Sequence, residues 1–265
     1  MSNITVILPV HTIKDKEFET LFKGCIKSIE NQTHSVEELI IVHSMEDELI
    51  NFLIDFDFGD INHRLVKNDG NTDFASQVNL GIKECKTEWL SITEFDDEYA
   101  SIWFKNVDKY IKSYPEVSGF LPLVVDVDDN GVFAGFTNEA TFAANFNTDI
   151  GYLTNEVLLS YENFQTSGMV IKKEVLDNIG GFKKNIKLTF VYEFLLRLTH
   201  NNVSLMTIPR IGYKHVNMRE GSVFWNYKHG EGRLSNDEVS FWLESAKKEF
   251  LFTQDRDIKF ETSGE

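Results

Sequence analysis

The sequence predicts an α/β fold with a mostly parallel central sheet flanked by helices. Apolar runs from Ile4 to Val10, from Leu39 to Val42 and from Leu90 lack polar alternation, the pattern of strands buried on both faces. Amphipathic stripes at helical spacing separate these runs, so strand and helix alternate as in right-handed βαβ units. A chain of 265 residues is long enough for one large domain of this kind.

The elements follow in order. After the first strand, Phe18, Leu21, Phe22, Cys25, Ile26 and Ile29 form one apolar helical stripe. The second strand ends in His43 and Ser44, and His63 to Lys67 reads as a short third strand. Phe74, Ala75, Val78, Ile82 and Cys85 mark the next helix, which leads into the central strand at Leu90. Trp103, Phe104, Val107 and Ile111 form a helix that ends before Pro115. Val117 to Val127 reads as a strand, with a turn at Asp128-Asp129-Asn130-Gly131 and a return strand near Val132 to Phe136. Residues 137–165 show weak periodicity and read as an irregular segment, either beside a site or merely structural.

Beyond it, Thr166 to Ile171 is strand-like, and a helix from Lys173 is stopped by Gly180-Gly181. Phe190, Val191, Phe194, Leu195 and Leu198 form one helix face, with Glu193, Arg197 and His200 on another. A last strand at Leu205 to Ile208 precedes a loop rich in His and Arg, and Ser235 caps a closing helix. The domain expectation is a main unit over 1–230 and a C-terminal helical extension over 231–265.

The net charge of −16 is spread along the chain, which argues against nucleic acid or an anionic membrane surface as partner. Cys25 and Cys85 fall among apolar residues and read as buried free thiols of a reducing compartment. No apolar run approaches the roughly 18 residues of a membrane span. No leader pattern opens the sequence, so a cytoplasmic protein without a transmembrane segment is expected.

The stretch from Trp89 to Glu98 begins as an apolar strand and ends in carboxylates. Residues two apart on a strand share a side, so Glu94 and Asp96 project together past the strand end, where open α/β sheets place ligands. Two hard oxygen ligands at that spacing suit Mg²⁺ or Mn²⁺ shared with a diphosphate; the alternative is a solvated turn. No Gly-x-Gly-x-x-Gly follows the first strand, which disfavours a dinucleotide site.

Four stretches together resemble the family 2 glycosyltransferases of GT-A fold, over roughly residues 3–224. They are Thr5 to Val10 with Cys25 to Ile29 and Gln32-Thr33; Ala75 to Ile82 with Asn79 and Gly81; Ser167 to Ile171 through Gly180-Gly181-Phe182; and Tyr192 to Arg197. The resemblance implies transfer of a sugar from a nucleotide-sugar donor to a glycan or lipid-linked acceptor, with Mn²⁺ or Mg²⁺ stabilising the leaving diphosphate. It places Pro9, His11, His43, Asn71, Asp73 and Arg219 at the nucleotide, and Glu94, Asp96 and His215 at the metal, with Asp97 a further ligand candidate. Lys214 and Ser222 join Arg219 in an expected phosphate clamp, and His215 is alternatively a phosphate contact. Asp73 is alternatively only a helix cap.

The departures from the family pattern are specific. Glu94-Phe95-Asp96 stands where the family has Asp-x-Asp, and His43 where it has a base-reading Asp. Phe190-Val191 replaces the usual Glu-Asp, so Glu193 becomes the expected general base of an inverting transferase. Glu193 and Arg197 are also spaced as a helix ion pair, the competing reading. Two other classes stay open: a sugar-nucleotide or glycan-binding module that has lost turnover, and a nucleotidyltransferase. The second is disfavoured because no glycine follows Val10 until Gly24.

Overall fold

The computed structural model describes residues 2–14, 17–139 and 151–260. Its centre is one sheet in the order β3-β2-β1-β4-β9-β6-β10-β5, with β7 on β6 and β8 on β10. The strands are β1 (Ile4–Val10), β2 (Glu38–His43), β3 (His63–Lys67), β4 (Trp89–Ile92), β5 (Glu98–Tyr99), β6 (Gly119–Val127), β7 (Phe133–Thr137), β8 (Tyr152–Leu153), β9 (Val170–Lys172) and β10 (Leu205–Val216). Parallel pairing runs through β3-β2-β1-β4 and along β6-β10. The antiparallel pairings of β5, β8 and β9 are short.

The apolar runs alternate between two cores, as strands covered on both faces must. On β1, Ile4, Val6 and Leu8 face one core, which packs α1 (Phe18–Glu30), α2 (Asp47–Asp55) and α4 (Trp103–Ser113). Ile7 faces the other, with α3 (Phe74–Glu84), α6 (Lys173–Ile179), α7 (Phe190–His200) and α9 (Asn236–Glu249). α9 enters through a complete capping box between Ser235 and Glu238, and its Trp242 and Ala246 lie in that second core.

Several elements were not read from the sequence. α2 is short and buries only Leu49 and Leu53, and β5 has only two residues. The 137–165 segment holds β8 and α5 (Asn155–Ser160), while its residues 140–150 lie outside the described residues, as do 261–265 of the expected extension. The last strand runs eight residues past Ile208, through Pro209 and Gly212, by shifting register against β6 at both places. The loop beyond it contains α8 (Val223–Lys228), capped by Ser222.

Glu193 lies inside the second core with no exposed surface. Its Oε1 meets Arg197 Nε at 2.8 Å and Lys183 Nζ at 3.1 Å. Arg197 also donates to the carbonyls of Ile179, Gly180 and Gly181, and Lys183 to those of Glu249 and Phe252. This net ties α7 to the glycine turn and to the end of α9.

Candidate active site

The acidic stretch is built where β4 leaves the sheet. Thr93 N still donates to Ile7 O of β1 at 3.0 Å, and Asp97 N turns back to Glu94 O at 3.2 Å. β5 then pairs antiparallel with β10, Tyr99 opposite Tyr213 and Glu98 opposite Lys214. The next position along that register brings His215 against Asp97. Tyr213 secures the turn: its hydroxyl lies 2.7 Å from Thr93 Oγ1 and accepts from Glu94 N at 3.3 Å. That tyrosine depends on Gly212, where a Cβ would stand 2.3 Å from the Trp103 ring. Trp103 is itself pinned by its indole N–H to Gly168 O.

Asp97 is fully buried; it accepts from Val216 N at 2.9 Å and lies 3.1 Å from His215 Nδ1. Asp96 is paired with Arg219 Nε at 2.6 Å, and that guanidinium lies over the Phe95 ring. Glu94 reaches into the site between them, and burial together with Asp97 and Asp96 pushes its carboxyl up to about 8. The Asp96 carboxyl is also raised, by burial and by Asp97, against the opposing pull of Arg219. For His215, burial disfavours the charge but Asp97 outweighs it, raising the imidazole to about 10.

Glu94, Asp97 and His215 each offer a ligand atom, all within 4.8 Å of one another. Two carboxylates and an imidazole suit a divalent cation, and the Glu94 carboxyl is raised first by burial and then by Asp97 and Asp96. The set therefore fits a divalent cation. It differs from the expected set at one position: Asp97 stands in the cluster, while Asp96 is turned to Arg219.

Glu94 and Asp96 line two cavities at once. One, of about 340 Å³, is walled by Pro9, His11, Asp73, Arg219, Ser222 and Gln77, among others. The fold thus brings four of the six expected nucleotide residues to one hollow. Asp73 also caps α3, accepting from Ser76 N at 2.8 Å, so both of its readings are compatible with its position. His43 is buried at the end of β2 with Nδ1 on Ser44 O, and Ser44 rather than His43 lines the adjoining hollow beside His11. Asn71 is exposed and bonded to Asp69. Lys214 is paired with Glu98 at 2.6 Å.

The second cavity, of about 280 Å³, lies between Phe164, Phe190, Tyr192, Val216 and Phe224 and includes His215. Glu193 borders neither cavity, because the helix turns it into the core, where two cations hold it. This placement corrects the expectation of a general base at that position and matches the ion-pair alternative. Sequence reading missed Glu162, a carboxylate on the second cavity that pairs with Lys247 at 2.9 Å, and Lys184 and Lys187 on the first. Glu162 sits in a segment without periodicity, and only tertiary placement distinguishes it from a surface residue.

Comparison with known proteins agrees with this arrangement. A family profile described as Glycosyl transferase family 2 matches residues 5–180. No curated protein sequence matches. Among solved structures, S. aureus TarS residues 1–349 in complex with UDP-GlcNAc superposes with a TM-score of 0.70 at 13% identity, covering 96% of this chain and 68% of that one. The same fragment with UDP gives 0.64 at 14% identity, over 94% and 72%. The longer TarS structure gives 0.58 at 13% identity, over 94% of this chain and 44% of that one. These likenesses establish the GT-A fold, and the family match over most of the chain establishes the lineage: the chain belongs to glycosyl transferase family 2.

Proposed function

We propose that the protein transfers a hexosyl group, with inversion, from a nucleotide-diphosphate sugar to an acceptor hydroxyl, releasing the nucleotide diphosphate and using a divalent cation. The observation that carries this reading is the acidic turn after β4, shared by two cavities whose linings differ in chemistry. The first, with Pro9, His11, Asp73 and Arg219, is the donor side; TarS, of the same fold, was crystallised with UDP-GlcNAc and with UDP. The second is the acceptor side.

Glu94, Asp97 and His215 would hold Mn²⁺ or Mg²⁺, which supplies Lewis-acid stabilisation of the leaving diphosphate. The residues of the chain do the rest. Arg219 brings a fixed positive charge to the donor cavity in a protein of net charge −16. Ser222 caps α8, accepting from Trp225 N, and lines both cavities. Asp96 and Glu162 are the carboxylates of the acceptor cavity outside the metal cluster; Asp96 is held by Arg219, and Glu162 takes the role of general base in place of Glu193.

The test is calorimetric titration with UDP, GDP, CDP and TDP in Mn²⁺, in Mg²⁺ and in excess chelator. Metal-dependent binding of one nucleotide is expected; equal affinity in chelator removes the cation from the reading. A second reading, a binding module without turnover, is favoured by the burial of Glu193. Release of free sugar from the bound donor would discard it.

A further inference from the structure

We propose that the acceptor carries an aromatic group next to the part that bears its reacting hydroxyl, and that the second cavity holds that aromatic group beside the acidic turn. This inference rests on the transferase reading above. Phe74, Phe164, Leu188, Val191, Val223 and Leu243 give the cavity apolar walls, completed by the Phe190 and Phe224 rings, which lie nearly parallel at 11° with centroids 6.2 Å apart. Phe190 and Val191, at the start of α7, add apolar surface to the cavity.

Away from the acidic turn, several polar side chains at the cavity are committed to other protein groups. Gln165 Nε2 donates to Thr137 Oγ1 at 2.6 Å, and Ser167 Oγ donates to Gln165 Oε1 at 3.1 Å. Thr189 Oγ1 donates to Trp242 O at 2.7 Å and Tyr192 OH to Leu158 O at 3.0 Å. A polyol ring lying among these walls would meet few free partners, and each buried hydroxyl left unpaired costs free energy. A flat apolar group loses nothing there. Its size also fits: an apolar cavity of roughly 150 Å³ holds a benzene, and this one measures about 280 Å³.

Val191 and Phe224 line this cavity and not the donor cavity, so they separate the two functions. The experiment compares methyl, phenyl and 2-naphthyl β-glucosides, which share their hydroxyls and differ in the apolar group. Each is titrated into the full chain saturated with the nucleotide diphosphate and Mn²⁺. The aryl glucosides should bind at least about tenfold more tightly than the methyl glucoside, the gain expected from burying one ring. Phe224→Ser, at a partly exposed position that leaves the core intact, and Val191→Asp should each abolish that preference. Nucleotide affinity, measured first on every variant, should not change. Equal affinity for the three glucosides, no binding of any, or a preference that survives both substitutions would overturn the proposal. Loss of nucleotide binding by the wild type would instead sink the transferase reading.

Discussion

Asp97 and Glu193 show how little a carboxylate's sequence position says about its work. Asp97, third in the acidic run, is drawn into the cluster because Val216 N and His215 close over it from β10. Asp97→Ala should therefore abolish the metal-dependent part of nucleotide binding, whereas Asp96→Ala should weaken binding chiefly by releasing Arg219. Titration of both variants with and without chelator separates these effects. Glu193 neutralises two buried cations, and removing one member of such a group costs about 3–5 kcal/mol. Glu193→Ala should lower the unfolding free energy by that order, while the folded fraction retains its nucleotide affinity. Glu162→Gln should do the reverse: about 10²- to 10⁴-fold slower transfer, with an unchanged melting temperature. A normal transfer rate in that variant would end the base assignment.

Among the elements, β10 matters most, because its second half carries both the Tyr213 hydroxyl and His215 to the acidic turn. Its passage under Trp103 allows no side chain at position 212. Gly212→Ala should cost about 1–3 kcal/mol from overpacking, and it should also loosen the Tyr213 contact and so weaken metal-dependent binding. Measuring denaturant midpoint and nucleotide affinity on the same variant checks both expectations. Equivalent destabilisation elsewhere, through the cap of α9, offers the contrast: Ser235→Ala should cost about 1 kcal/mol and leave nucleotide affinity as it was.

Across the whole molecule, the site is a store of unfavourable charge in the absence of a cation. Glu94 is raised in the fold to about 8, so between its ordinary value and 8 the folded chain binds more protons than the unfolded one. Stability from this group is full below the ordinary carboxylate range and is lost as pH rises through 8. His215, raised from 6.5 to about 10, has the same sign: its contribution is full below 6.5 and gone above 10. In chelator, the melting temperature should thus fall as pH rises from 6.5 to 10. His215→Gln should flatten the upper part of that profile, and an unchanged slope would contradict the charge assignment.

The periodicities fixed much of this molecule before folding. Continuous apolar runs require cover on both faces, and the alternating helical stripes supply it, so the α/β class and the strands β1, β2 and β4 were legible. So was the acidic strand end, because residues just past a buried strand emerge where ligands bind. The sequence could not tell which carboxylate would join His215. That choice depends on a two-residue strand pairing with β10 across more than a hundred residues, past Pro209 and Gly212, which read locally as breakers. Nor could it distinguish Glu193 from Glu162. A helix stripe leaves a flanking residue free to face either way, and only packing of Lys183 and the α9 end buried one. Side-chain type and local period are properties of the chain itself; which charges meet is set by long-range pairing, and the tertiary structure alone decided it.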